Sequence, residues 1–260
     1  ALPSPPEVPD ESRCLPTDEG GAARAGRLEP LPEQLTLTTL LAHPGRVTLG
    51  ATGVVPLGLG GDDATPVGLP LDAPGALICG PPGSGRSTTL TTLAAMLLGM
   101  GRQVIYAAPP PPDQPLPAGV TAVTGRRELT EVIRRELAGG EATLLLDTGW
   151  NAVAGLEDLA HHHLLTAAPP TGQPPRVALQ VVAAGTAAEV AMALRGVLAE
   201  LRTARCGVLL GPRVRADGAA VGAAVRGCAA LPAGRGILAV RGRVTRIQVA
   251  RPATGRSVLA

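Results

Sequence analysis

The residues best suited to chemistry form a glycine-rich run, GPPGSGRS, at positions 80–87. Apart from Arg86, the run matches every fixed position of the phosphate-binding motif G-x-x-x-x-G-K-[ST]. Gly80, Gly83 and Gly85 permit backbone conformations in which successive N–H groups converge on an anion. A helix that begins directly after such a loop adds the positive end of its dipole. The run therefore predicts a cradle for phosphate groups.

The segments on either side of this run have the character that a phosphate-binding loop requires. A short apolar run at 76–79 predicts a buried strand, and leucines at helical spacing predict a helix over 86–98. The Ser87 hydroxyl is then placed to bind Mg²⁺, and Thr88 to support the phosphates. A glycine-rich turn without a ligand is the alternative. We assign nucleotide binding to seven residues: Gly80, Gly83, Ser84, Gly85, Arg86, Ser87 and Thr88.

A second run predicts the acid that a magnesium-nucleotide site needs. TLLLD at 143–147 reads as a buried strand that ends in a carboxylate. We therefore predict a metal site made by Ser87 and Asp147; an ordinary turn aspartate is the alternative. Many nucleotide-hydrolysing proteins with this phosphate-binding motif carry another acid at the next position. Here that residue is Thr148, which cannot act as a base at neutral pH.

Arg86 is the second departure from the expected pattern. Lysine is a compact point charge, whereas the arginine guanidinium is a larger planar fork, so this exchange is not conservative. The chain has 23 basic residues and all of them are arginine. One interpretation is that arginine replaced lysine and weak nucleotide binding was retained. The other is that the site no longer functions and the fold serves as a scaffold. Together with Thr148, Arg86 favours little or no hydrolysis, and we assign no catalytic residue.

Predicted strands and predicted helices alternate along the chain on both sides of this loop. Such alternation is typical of an α/β fold with a mostly parallel sheet and helices on both faces. The predicted strands are 76–79, 103–107, 143–147, 177–183 and 207–210, and the predicted helices are 86–98, 128–137, 156–165 and 187–202.

Two hairpins and a linker complete the predicted organisation. Residues 54–71 indicate a hairpin whose prolines favour edge strands, and 236–249 indicate a terminal hairpin. Residues 1–36 hold seven prolines and seven acids against three arginines, which predicts a linker without a packed core. We expect one domain over 37–260, with a short amphipathic segment near its start.

Composition excludes several classes of function. Aromatic residues make up 1% of the 260 residues, too few for a surface that stacks nucleic-acid bases. No run of 18 apolar residues occurs, so we expect no direct membrane span in this chain.

The final 60 residues hold eleven arginines and one acid, which indicates an anionic partner: nucleic acid, a phosphate ligand or an acidic neighbouring subunit.

These motifs together resemble the FtsK/SpoIIIE ATPase domains of actinobacteria. The resemblance rests on VPLGLGGDDATPVGLPL at 55–71 leading into the phosphate loop, on TLLLDTG, on VVAAGTAAEVA at 181–191, on GVLLGPR and on the closing LPAGRGILAVRGRVTRIQVA. It covers about residues 35 to 250. Within this group, the sequence is most similar to the last, degenerate ATPase module of EccC-type proteins, the membrane-anchored motors of type VII secretion.

The resemblance implies a RecA-like P-loop core with ATP and Mg²⁺ as ligands, bound weakly or not at all. It implies a cytoplasmic position at the inner face of the membrane, within a larger protein. The implied partners are neighbouring ATPase modules and small helical secreted proteins. An ATP-driven DNA translocase, as in the FtsK branch, is the alternative, which the lack of a winged-helix segment after the core disfavours. A GTPase is disfavoured because N-K-x-D requires lysine.

Overall fold

The computed structural model describes residues 29–70, 75–109, 114–138, 141–147, 179–227 and 231–252. The predicted helix at 156–165, Thr148 and residues 1–28 of the predicted linker lie outside these ranges. The strands are β1 Val54–Gly60, β2 Thr65–Pro70, β3 Gly75–Cys79, β4 Gln103–Ala107, β5 Thr121–Val123, β6 Ala142–Leu146, β7 Leu179–Gly185, β8 Cys206–Leu210, β9 Arg235–Val240 and β10 Arg243–Val249. The helices are α1 Leu37–Ala42, α2 Gly45–Ala51, α3 Arg86–Gly99, α4 Arg126–Ala138, α5 Ala187–Met192 and α6 Val197–Thr203, with a 3₁₀ helix at Arg215–Val221.

The ten strands of the described residues join one sheet in the order β2-β1-β10-β9-β8-β3-β7-β6-β4-β5. The six strands from β8 to β5 are parallel to one another, and the four remaining pairs, from β8 to β2, are antiparallel. Strand β3 lies between β7 and β8, so the segment that follows it emerges in the middle of the sheet. The predicted α/β fold with a mostly parallel sheet is confirmed.

Each face of the sheet carries its own apolar core. On β3, Ala76 and Ile78 belong to the core that α1 and α3 cover, whereas Leu77 and Cys79 belong to the core of α4, α5 and α6. Successive side chains of a strand point to opposite faces, so a strand covered on both sides reads as a continuous apolar run. The prediction of helices on both faces is therefore confirmed.

The prolines of the first hairpin predicted edge strands, and this prediction holds for one of its two strands. Strand β2, with Pro66 and Pro70, is an edge strand, but β1 pairs on its other side with β10. Pro56 of β1 lies where the register with β2 shifts, a position that tolerates a missing N–H donor. The terminal hairpin β9–β10 lies inside the sheet, between β1 and β8. Gly58 permits this, because a Cβ there would lie 2.1 Å from the Gln248 carbonyl oxygen.

The helix predicted over 187–202 is divided in two. Helix α5 starts with a capping box in which Thr186 and Glu189 satisfy each other's backbone N–H groups. It ends at Ala193, whose backbone is extended, and Gly196 at φ 85° precedes α6. Glycine alone adopts this conformation at little cost, so the glycine marks the break. No helix within the described ranges combines the length and apolar character that crossing a membrane requires.

Candidate phosphate-binding site

The glycine-rich run forms the connection between the central strand β3 and helix α3. Gly83 has φ 78° and Gly85 has φ 99°, both in the region that side chains rarely enter. Gly85 is the residue directly before α3, so the loop delivers the chain into the amino end of that helix. The strand–loop–helix context required by the motif is present, and backbone N–H groups at this helix end are available to an anion.

Neighbouring segments hold this loop in place. The Gly80 N–H donates to the Gly185 carbonyl at the end of β7, at 3.2 Å, and the Gly234 N–H donates to the Ser84 carbonyl at 2.9 Å. A Cβ at position 80 would lie 2.5 Å from the Ser84 hydroxyl oxygen and 2.9 Å from the Leu210 carbonyl oxygen. A glycine is therefore required at the first position of the loop, and the loop is anchored by β7 and by the turn before β9.

Two polar atoms of the loop lie buried without a hydrogen-bond partner among the described residues: Ser84 Oγ and Arg86 Nη1. A buried donor without a partner costs about 1–3 kcal/mol, and more when it is charged. Both groups donate hydrogen bonds, and a phosphate oxygen accepts them. These orphaned donors fit a phosphate group, so the residues present suit the predicted ligand. Thr88 lies half-buried in the first turn of α3.

The two residues predicted to bind Mg²⁺ lie in contact. Ser87 Oγ donates to Asp147 Oδ1 at 3.1 Å, and Asp147 is 5% exposed at the end of β6. The Asp147 N–H donates to the Ala107 carbonyl at 2.9 Å, which fixes the aspartate against β4. A hydroxyl beside a carboxylate, next to a phosphate cradle, is a set of oxygen ligands that suits Mg²⁺. Thr148, the other residue singled out here, is outside the described ranges.

Tyr106 is a member of this site that the sequence reasoning missed. Its hydroxyl donates to Asp147 Oδ2 at 2.8 Å, and the residue is 1% exposed on β4. Burial raises the pKa of Tyr106, and the charge of Asp147 raises it further, so the phenol stays a donor. The available signal was its uniqueness, because the chain has one tyrosine and no phenylalanine.

Threonines of α3 extend this polar network into the core. The Thr91 hydroxyl donates to the Ser87 carbonyl at 3.0 Å and lies beside the Tyr106 phenol. The Thr89 hydroxyl donates to the Gly85 carbonyl at 2.8 Å. Both threonines are buried, so their hydroxyl groups need partners inside the protein. The start of α3, the phosphate loop and the acid of β6 thus form one connected unit.

Cys79, the last residue of β3, lies beside this site without the properties of a nucleophile. Burial raises the pKa of its thiol from 9.0 to about 12; the charge of Arg86 opposes this shift, and that of Glu189 adds to it. A thiolate, not a thiol, reacts as a nucleophile, so Cys79 is inert at neutral pH. Its role is to fill the core beneath the loop.

Solved structures that share this architecture include ATPase domains. No family model and no curated protein matches the sequence. The cytoplasmic domain of EssC matches with a TM-score of 0.66 and 16% identity, over 86% of this chain and 48% of that chain. Thermomonospora curvata EccC (ATPases 2 and 3), solved in complex with a signal sequence peptide, matches with a TM-score of 0.61 and 18% identity, over 86% of this chain and 44% of that chain.

A third solved structure with this fold is a conjugation coupling protein. The pCW3 conjugation coupling protein TcpA, in a monomer form with ATPγS, matches with a TM-score of 0.54 and 12% identity, over 90% of this chain and 76% of that chain. The chain spans less than half the length of the EssC and EccC structures. At these identities the likeness concerns the fold. The predicted P-loop ATPase fold, and the resemblance to EccC-type and FtsK-like domains at that level, are confirmed.

Proposed function

We propose that this chain is an ATPase-fold module of a type VII secretion motor that binds Mg·ATP weakly and hydrolyses it slowly or not at all. The observation that carries the proposal is the pair of orphaned donors, Ser84 Oγ and Arg86 Nη1, beside the contact between Ser87 and Asp147. Phosphate oxygens would satisfy both donors. Mg²⁺, held by Ser87 and Asp147, would neutralise charge on those oxygens.

Arg86 accounts for weak rather than tight binding. A guanidinium binds phosphate well when its planar fork can make two parallel hydrogen bonds. Here Nη1 is buried without a partner among the described residues, whereas the family's lysine would present a single flexible ammonium. The fork must therefore fit a cradle shaped for a smaller group, and part of the binding free energy is lost.

Slow or absent hydrolysis follows from the residue after Asp147. The attacking water in ATP hydrolysis needs a residue that orients it or accepts its proton. Thr148 stands where many hydrolysing members place a carboxylate, and a threonine hydroxyl has no basic character at neutral pH. The module would then contribute binding and assembly rather than steady chemical turnover.

The proposed setting is a motor with several ATPase modules. EssC and EccC structures that share this fold are more than twice as long as the matched part, and the EccC structure contains ATPases 2 and 3. That EccC structure includes a signal sequence peptide. We therefore propose neighbouring ATPase modules and small helical secreted proteins as partners, at the cytoplasmic face of the membrane.

A DNA translocase is the second candidate. The fold shared with the conjugation coupling protein favours it, as do three exposed arginines on the β9–β10 hairpin, Arg241, Arg243 and Arg246. Binding to duplex DNA would weaken steeply as salt rises, because each neutralised phosphate releases counterions. DNA binding that is absent, or that does not respond to salt, would remove this candidate.

Calorimetric titration with Mg·ATP tests the proposal, using wild type, Arg86→Lys and Arg86→Ala. We expect weak binding by wild type, about tenfold tighter binding by Arg86→Lys, and loss of binding by Arg86→Ala, since one phosphate contact is worth about 1.5–3 kcal/mol. ATP turnover by wild type should stay at background. Steady turnover would contradict the proposed inactivity, and no binding by either wild type or Arg86→Lys would contradict nucleotide binding.

A further inference from the structure

Both carboxylate oxygens of Asp147 accept hydrogen bonds from side chains of other elements. Oδ1 accepts from Ser87 at the start of α3, at 3.1 Å, and Oδ2 accepts from Tyr106 on β4, at 2.8 Å. The two donors differ in burial, because Ser87 is exposed whereas Tyr106 is 1% exposed. One side of the carboxylate therefore faces the loop, and the other side is fixed to the sheet.

We propose that Tyr106 is a positioning residue for the metal site: its phenol holds Asp147 Oδ2, so that Oδ1 and the Ser87 hydroxyl stay directed at Mg²⁺. This inference rests on the proposed nucleotide function. Residues that hydrogen bond to a metal ligand orient it, and their loss typically lowers metal affinity 10–100-fold. Tyr106 touches neither nucleotide nor metal in this role and acts through Asp147.

The surroundings of Tyr106 support a fixed geometry. Tyr106 pairs with Leu145 across the parallel ladder of β4 and β6, two residues before Asp147, and its side chain belongs to the core beneath α3. The Thr91 hydroxyl contacts Tyr106 and donates to the Ser87 carbonyl at 3.0 Å. Tyr106 thus lies between the acid and the helix that carries the other metal ligand. A rearrangement at Ser87 on metal binding would reach the phenol through Thr91.

The competing interpretation is that Tyr106 only fills the core. Removing its hydroxyl would then lower the stability of the fold, but it would weaken the binding of metal-free ATP and of Mg·ATP by the same factor. The decisive quantity is the ratio of the two affinities, with and without Mg²⁺.

Tyr106→Phe removes the hydroxyl and keeps the ring. ATP affinity is measured with excess EDTA and with Mg²⁺ for wild type, Tyr106→Phe and a matched control, Thr143→Val. Thr143 lies on β6, is fully buried, and its hydroxyl has no partner among the described residues. We expect Tyr106→Phe to weaken Mg·ATP binding about tenfold and the binding of metal-free ATP less than twofold. Thr143→Val should change neither affinity. Equal losses in both conditions, or no loss, would overturn the proposal.

The only tyrosine of the chain provides a second readout. In a Trp150→Phe background, emission from Tyr106 is followed as Mg²⁺ is added to the protein saturated with ATP. We expect a change that saturates with Mg²⁺ and disappears with Asp147→Ala. Unchanged emission would overturn the proposal. Absence of any ATP binding by wild type would instead overturn the proposed function, and this inference with it. If wild type binds ATP but Tyr106→Phe leaves the ratio of the affinities with and without Mg²⁺ unchanged, the inference alone is overturned.

Discussion

The Gly234 N–H donates to the Ser84 carbonyl at 2.9 Å, so the turn before β9 fastens the phosphate loop from a point 150 residues along the chain. The Gly234 carbonyl in turn accepts from the Val249 N–H at 2.8 Å, which ties the turn to the end of β10. The loop is therefore held by the terminal hairpin as well as by its own strand and helix.

Gly234→Ala should loosen this fastening. Gly234 has φ 79°, and a Cβ would lie 2.9 Å from Gln248 Nε2. A left-handed backbone costs a residue with a side chain about 1–2 kcal/mol, so we expect a fall of about 2 kcal/mol in the free energy of unfolding. Chemical denaturation measures this, and nucleotide titration should show weaker binding as well. Gly242→Ala is the control for strain alone, because that position has φ 82° but open space around it. Unchanged nucleotide affinity in Gly234→Ala would contradict a role for the turn in holding the loop.

Two substitutions of Asp147 should differ in stability. Asp147→Ala leaves the buried Tyr106 hydroxyl without its acceptor, which costs about 1–3 kcal/mol. Asp147→Asn keeps an oxygen that can accept from Tyr106, so we expect a smaller loss. Both should abolish the effect of Mg²⁺ on ATP binding. Denaturation of both variants, and of Tyr106→Phe/Asp147→Ala together, measures the coupling between the two residues. Equal destabilisation by Asp147→Ala and Asp147→Asn would contradict the importance of this hydrogen bond.

Stability should fall at alkaline pH because of Cys79. Burial raises the pKa of this thiol from 9.0 to about 12, so the folded protein retains a proton that the unfolded chain releases. The stabilisation is complete below pH 9.0 and is lost as pH rises towards about 12, by up to about 1.4 kcal/mol per pH unit. We therefore expect the difference in unfolding free energy between wild type and Cys79→Ala to shrink over this window. A difference that stays constant with pH would exclude Cys79 as the cause.

Arg235 should determine how firmly the segment before α1 is attached. Its Nη2 donates to the carbonyls of Leu31 and Pro32, at 3.0 and 2.8 Å, and its Nε donates to Gln248 Oε1 at 2.8 Å. Lysine cannot make these bonds together, so we expect Arg235→Lys and Arg235→Ala both to speed hydrogen exchange over residues 29–36. Exchange measured by mass spectrometry reports this.

The matched control for Arg235 is Arg243→Ala, an exposed arginine on the same hairpin. Its loss should leave exchange over residues 29–36 unchanged. Faster exchange in both variants would indicate general destabilisation of the hairpin rather than a specific attachment.

Local signals in the chain were sufficient for the parts of the fold that depend on neighbouring residues. Apolar runs predicted β3 and β4, and glycines with a following helical pattern predicted the loop and α3. Such signals failed where a single residue interrupts a pattern. The helical spacing over 187–202 continued through Gly196, yet one helix ends at Met192 and a second begins at Val197, directly after this glycine with φ 85°. Leu35 lies within the bounds of the predicted linker, 1–36, but it is also the first leucine of the predicted amphipathic segment, and it is 3% exposed against the core. The boundary at residue 36 remains a prediction.

The sequence by itself determined the glycine-rich loop between a strand and a helix, the carboxylate at the end of another strand and the two-sided sheet, because each depends on residue types at short spacing. Only the tertiary structure decided that Tyr106 donates to Asp147 and that the terminal hairpin lies inside the sheet, against β1. These relationships join residues 41 and about 190 positions apart. Strand order and side-chain packing bring such residues together, and neither leaves a periodic pattern in one sequence.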